Sequence, residues 1–273
     1  DAITHSFSTV SIGGFSTHDS SMAYFNSPAV NLITVAFLLI SACNYALHFN
    51  AFSNLGKRNI FVSYFRDPEF RFFMFIQIAL VTICFFMLLT NHHFDGTFKN
   101  LEQAAFQSVS ISTTAGYTTS SFDQWPLFLP ILLLFASFIG GCAGSTGGGL
   151  KVIRILVLSL QGKRELKRLI HPNLVYPIKL GKHVLDERVI QSIWAFFSAY
   201  LLVFVVCLLG VISCGVETFD AFNAVIACLN NLGPGLGSVS SNFVSIPDSA
   251  KWILTLTMVC GRLEIFSLLV LFT

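Results

Sequence analysis

The sequence predicts an all-α polytopic membrane protein built from helix–pore loop–helix modules around one central path. Three observations carry this. Of 273 residues, 54% are hydrophobic and only 11% charged, with a mean hydropathy of +0.72; soluble domains carry about 25% charged residues. The long apolar runs lack period-two alternation, which selects helices over a closed barrel, the two structures whose backbone is satisfied in lipid. A short amphipathic run followed by small, hydroxyl and Gly residues also occurs three times. The copies are HSFSTVSIGGFST with Gly14, LEQAAFQSVSISTTAGYTT with Gly116, and FDAFNAVIACLNNLGPGLG, where Gly235 is read as the counterpart of Gly116. Separations of 102 and 119 residues exceed solenoid periods and point to homologous modules around an axis.

In chain order, residues 1–17 hold the first short helix and its Gly-containing loop. Residues 28–49 form an uncharged span, long enough for the roughly 20 residues a bilayer needs. Residues 51–71 are a polar connection, and 72–90 span again with Gln77 as their most polar member. The second short helix and loop occupy 101–119. A further span starts at 125–139, breaks at the Gly-rich segment 140–149 and resumes at Leu150. The hydrophilic stretch 161–188 leads to an uncharged span at 189–213, the third unit at 218–237 and a last helix at 251–273. Because the chain opens inside a unit and stops inside an apolar run, it reads as a piece of a longer protein.

Charge placement sets the orientation. Of 16 Lys and Arg, four lie in 51–71 and nine between Lys151 and Arg188, while Lys99 and Lys251 lie on the other side. Cytoplasmic loops carry the excess of Lys and Arg, so both basic connections are expected inside. That count holds only if each short unit enters and leaves the membrane on the outer face, as a re-entrant segment lining a water-filled cavity does. Seven cysteines without a CxxC pair, mostly within apolar runs, read as buried thiols rather than metal ligands or disulfides.

A half-helix aimed at the membrane centre by its C-terminus presents about half a negative charge there, which favours a cation. Gly in the loop after it permits the positive φ that turns carbonyls inward. The expected ion-binding residues are therefore Ser11, Ile12, Gly13 and Gly14; Thr113, Thr114, Ala115 and Gly116; and Asn231, Leu232, Gly233 and Gly235. Thr113 and Thr114 offer hydroxyl oxygens, and Tyr117 and Phe15 are placed to wedge the loop from behind. Carbonyl and hydroxyl ligands without a carboxylate suit a monovalent, weakly hydrated ion rather than calcium.

STTAGYTT, GGCAGSTGGGLKVIR, NNLGPGLG, and GRLEIF from Gly261 resemble the Trk/Ktr/HKT superfamily of potassium uptake proteins, its TrkH/TrkG branch most. The resemblance covers the whole chain. It implies a pseudo-fourfold, potassium-channel-like fold in which four such repeats on one polypeptide surround the ion path. Residues 1–50 would then be part of the second repeat, 51–160 the third, 161–188 a cytoplasmic connection and 189–273 most of the fourth. Gly13–Gly14 in the first copy and Pro234 in the last depart from a uniform pattern and imply an asymmetric filter. The resemblance further implies potassium as the transported ion, no cofactor, the bacterial inner membrane, a homodimer, a cytosolic nucleotide-binding regulator like TrkA, and no nucleic-acid partner.

It also implies an intramembrane gate, formed by Gly140, Gly141, Gly144, Ser145, Thr146, Gly147, Gly148 and Gly149 with Arg262 facing it. From the residues alone, the Gly-rich break admits a helix kink or a phosphate-binding loop. The latter lacks its Gly-Lys-Ser/Thr ending and follows a membrane span rather than a strand. Arg262 lies in an apolar run, where a charge costs at least about 2.5 kcal/mol. Its bland alternative is an ion pair with Glu264, although residues two apart on a helix point away from each other. An ion-coupled symporter would need an intramembrane carboxylate, and Glu264 is the candidate for it. A membrane enzyme would need a nucleophile–base pair or metal cluster, whereas His5, His18, His48, His92 and His93 are scattered.

Overall fold

The computed structural model describes residues 1–53, 60–126, 128–181, 183–263 and 265. Among them are eleven α-helices: α1 (Ala2–Val10), α2 (Pro28–Ser41), α3 (Tyr45–Ser53), α4 (Ile60–Arg66), α5 (Pro68–Thr90), α6 (Thr97–Ser112), α7 (Leu129–Ala136), α8 (Val152–Ile170), α9 (Glu187–Ser213), α10 (Thr218–Leu229) and α11 (Asp248–Arg262). A two-stranded antiparallel ribbon, β1 (Lys179–Leu180) with β2 (His183–Val184), lies in the basic connection.

The helices start where local chemistry directs. Asp67 accepts the Phe70 N–H at 2.8 Å, Pro68 occupies the first turn of α5, and Glu69 follows it. Asp186 likewise accepts from Arg188 N at the head of α9. With 23 and 27 residues, α5 and α9 are long and apolar enough to cross a membrane. The three short helices are α1, α6 and α10; α6 and α10 are the most enclosed. α6 packs against α2, α5 and α7, and α10 against α7, α9 and α11. Their inward faces carry Ala104, Ser108, Ala221, Ala224 and Ala227, small residues that let backbones approach closely in lipid, where packing rather than water exclusion holds helices together.

Four expectations are corrected. The span expected at 28–49 breaks: α2 and α3 meet at 89° across residues 42–44. The Ala42 carbonyl accepts from Cys142 N at 2.8 Å, and Asn44 Oδ1 starts the next helix by accepting from Ala46 N at 2.8 Å. The connection expected at 51–71 is largely helical where described, carrying the end of α3 and all of α4. The span expected from 125 is only the eight residues of α7. Finally, α11 begins at Asp248, and Arg262 is its last residue rather than a mid-helix position. Glu264 and 266–273, with the rest of the expected last helix, lie outside the described residues.

Candidate ion pathway

The helices α1, α6 and α10 end identically. The residue after each C-cap is left-handed: Ile12 at φ 52°, Thr114 at 66° and Asn231 at 55°. Its N–H returns to the carbonyl three residues back, on Thr9, Ile111 and Cys228 at 3.0–3.1 Å. The next N–H, of Gly13, Ala115 and Leu232, returns five back to Ser8, Ser110 and Ala227 at 2.8 Å. This is a Schellman ending, which usually takes Gly. Here two of the three left-handed residues are β-branched, and each costs about 1–2 kcal/mol. Strain of this kind persists where the surroundings over-determine it, as at ligand clamps.

Two residues further, Gly14, Gly116 and Gly233 take φ of 67°, 81° and 97°. The register therefore makes Gly233, not Gly235, the counterpart of Gly116. Gly235 lies past Pro234, where its N–H donates to Val239 O at 3.0 Å and closes the following turn. The loops touch in sequence. A Cβ on Gly14 would overlap the Ala115 carbonyl oxygen, and one on Gly116 would overlap that of Leu232, while nothing lies within 4 Å of that position at Gly233. Three loops thus form an arc, open beside Gly233. Among the described residues, no hydrogen-bond donor reaches the carbonyl oxygens of residues 12–14, 114–116 or 231–233. Outside the arc is a cleft of about 560 Å³, lined in part by Gly13, Ala115, Gly233, Asp19 and Asp123.

The hydroxyls behave differently from expectation. Ser11 Oγ donates to Ser8 O at 3.2 Å and Thr113 Oγ1 to Val109 O at 2.7 Å, both back onto their own helices. Thr114 Oγ1 accepts from Gly148 N at 2.7 Å. Tyr117 is the wedge the sequence suggested: fully buried, with its hydroxyl 3.4 Å from Phe15 O and 3.5 Å from His5 O. Phe15 is not a wedge, being 77% exposed. Side chains on neighbouring helices pin the loop bases. Ser112 donates to Gln77 at 2.9 Å, and Asn230 is held by Tyr200 and donates to Ser137 at 2.7 Å.

The Gly-rich segment leaves α7 and passes beneath all three helix C-termini. Thr146 Oγ1 donates to Val10 O at 3.3 Å, and Gly148 N reaches Thr114 as above. Gly148 also approaches α10 so closely that a Cβ there would overlap the Asn230 carbonyl oxygen. The segment is stitched from below by two cations. Lys151, buried and left-handed at φ 75°, donates through Nζ to Ser145 O at 3.1 Å and to Gly147 O. Arg262 Nη1 donates to Thr146 O at 3.0 Å, across 116 residues of sequence. Of the predicted gate residues, Gly144, Ser145, Thr146, Gly147, Gly148 and Gly149 line a cleft of about 300 Å³ together with Arg262, and Gly140 and Gly141 are not part of its lining.

The contacts of two charged residues were not legible in the sequence. Lys151 reads there only as a basic residue directly after the Gly-rich segment. Glu69 resembled a first-turn acid of α5, yet it is 6% exposed and accepts the Ala143 N–H at 2.6 Å, tying the Gly-rich segment to α5. Glu264, the carboxylate the sequence singled out, lies outside the described residues. A hydrogen bond to a charged acceptor is worth about 1.5–3 kcal/mol and one to a neutral amide oxygen about 0.5–1.5 kcal/mol. Glu69→Gln should accordingly loosen residues 140–149, read as faster amide exchange there with little change at 114–116.

Comparison with known proteins agrees with this geometry. The sequence profile of the TrkH family, described as a cation transport protein, matches residues 1–273. The chain is 62% identical over its full length to the Trk system potassium uptake protein TrkH of Vibrio parahaemolyticus and 59% identical to that of Escherichia coli K12, covering 56% of each. The crystal structure of the potassium transporter TrkH from Vibrio parahaemolyticus superimposes with a TM-score of 0.94, over all of this chain and 58% of that one. The chain spans about half the length of the curated relatives it matches. A profile match from the first residue to the last, on a fold shared at this identity, makes the chain a member of the TrkH family of cation transport proteins.

Proposed function

We propose that this chain forms most of a channel-like pathway for potassium uptake across the bacterial inner membrane, without covalent chemistry or a cofactor. The observation that carries this reading is the arc of three loops in one register, whose carbonyls have no protein donor and whose helix C-termini converge behind them. Carbonyls of Ile12, Gly13 and Gly14, of Thr114, Ala115 and Gly116, and of Asn231, Leu232 and Gly233 replace the ion's hydration shell. A fourth loop, from the remaining length of the protein, completes the ring beside Gly233. The repeat boundaries of this reading, at 50, 160 and 188, fall within α3, α8 and α9. The membrane potential supplies about 2.3 kcal/mol per charge per 100 mV.

Residues 140–149 are the gate in this reading. The contacts of this segment with Lys151, Glu69 and Arg262, beneath the three helix C-termini, support that assignment. Arg262→Ala removes one hydrogen bond to the loop and one positive charge below the filter. Potassium flux should rise several-fold, and the potassium-to-sodium ratio should stay fixed. A loss of yield and thermal stability without a gain in flux would assign Arg262 a structural role instead. A second copy of the chain and a cytosolic nucleotide-binding regulator are the proposed partners.

A proton- or sodium-coupled symporter is the second reading, favoured by one observation, the buried carboxylate of Glu69 beside the loop. Liposomes holding the purified full-length protein separate the two. Potassium moving down its own gradient at equal pH and equal sodium on both sides supports the channel. Movement only with an imposed proton or sodium gradient supports the symporter.

A further inference from the structure

The C-terminal half of α8 and the connection to the start of α9 carry the densest positive charge of the chain, and Glu165 and Glu187 beside it are already engaged. Glu165 is bonded by Gln161 and Arg168, and Glu187 by Arg164. Among the described residues, Lys163, Lys167 and Lys179 have no carboxylate partner. These three border one cleft of about 400 Å³, whose other walls are Leu160, Leu166 and Ile178. Lys167 Nζ stands 4.2 Å from the centre of the Tyr176 ring, also in this cleft. Leu166 is 64% exposed, so the cationic rim and an apolar surface are presented together.

The depth of this cleft follows from α9. Counting back from its outer end at Ser213, the roughly 20 residues that cross a hydrocarbon core reach about residue 193. Trp194 stands there half exposed, as interfacial aromatics do. One turn further, Ile190 packs against Val157 of α8 and Ile178 of the cleft wall. The floor of the cleft therefore sits at the level of the cytoplasmic headgroups.

We infer that this cleft binds the headgroup of an anionic phospholipid of the cytoplasmic leaflet. Lys163, Lys167 and Lys179 face the phosphate, and Leu160 and Leu166 lie against the apolar part next to it. Depth and charge select this occupant. A second copy meeting this face through a twofold axis would bring the same lysines against each other, and a cytosolic protein would dock below the headgroup plane. The basic connection is then a lipid-reading surface at the foot of α8, the helix that begins directly after the Gly-rich segment. This inference requires only that α5 and α9 cross the membrane, and it stands apart from the filter and gate assignments.

The test uses the full-length protein in detergent, with phosphatidylglycerol, phosphatidylcholine or inorganic phosphate added. Thermal unfolding and native mass spectrometry of retained lipid are the readouts. Phosphatidylglycerol should raise the Tm and be retained, while phosphatidylcholine and inorganic phosphate should do neither. The variant Lys163→Gln/Lys167→Gln/Lys179→Gln changes only exposed side chains. It should weaken phosphatidylglycerol binding about a hundredfold, about fivefold per lysine, from the roughly 1 kcal/mol that each Lys contributes at an anionic surface. The matching triple Arg variant should keep it. Three results would overturn the inference: an unchanged lipid preference in the Gln variant, an equal stabilisation by inorganic phosphate, or a change of oligomeric mass in the Gln variant with lipid preference intact.

Discussion

Gly116→Ser is expected to lower the potassium-to-sodium permeation ratio tenfold or more. At φ 81° a residue with a Cβ pays about 1–2 kcal/mol in backbone strain, and here the Cβ would also overlap the Leu232 carbonyl oxygen. The loop relieves both by rotating the 115–116 peptide or by pushing the 231–233 loop outward. Either movement takes carbonyl oxygens from the path and admits a more strongly hydrated ion. The helix bases remain pinned by Ser112 with Gln77 and by Asn230 with Tyr200, so the variant should fold. Paired rubidium and sodium flux in liposomes reads the ratio, and an unchanged ratio would remove Gly116 from the filter. The φ of 97° alone, without an overlap, makes Gly233 the sensitive glycine of the last loop, and Gly235 is a packing position. Gly235→Ala, crowding Val239 alone, should cost stability before selectivity.

Gly148→Ala is expected to open the pathway. The added methyl cannot coexist with the Asn230 carbonyl oxygen, so the segment must withdraw from α10 and release Thr114 Oγ1 from Gly148 N. A lost hydrogen bond and an overpacked contact together cost about 1–3 kcal/mol. That raises the open population roughly five- to a hundredfold. Basal flux should rise by a similar factor with the ion ratio nearly unchanged, because the bulk of the filter's backbone geometry is set above the segment by the Schellman endings. Altered selectivity with normal opening would place residues 140–149 in the filter instead.

The two variants also mark how far the sequence could be read. The repeats were legible because Gly14 and Gly116 each stand four residues past the end of an amphipathic run, and the Gly-rich break because six glycines within ten residues leave no stable helix. The register of the third loop was not. NNLGPGLG offers two glycines on either side of Pro234, and only the distance from the end of α10 chooses Gly233. The 89° bend between α2 and α3 had no Gly or Pro to announce it. It depends on Ala42 O meeting Cys142 N, a contact between residues a hundred positions apart. Glu69 was hidden for the same reason. A carboxylate in the first turn of a helix ordinarily serves that helix, and nothing local tells that this one reaches Ala143.

The central claim is that an ion is bound by the carbonyls of the loop arc. Crystals of the full-length protein grown in rubidium or thallium test it through anomalous scattering. The account predicts peaks on the axis between the carbonyl oxygens of residues 12–14, 114–116 and 231–233, within about 3.5 Å of them. Peaks confined to the cleft around Gly144, Lys151 and Arg262, or an arc left empty by both ions, would contradict it.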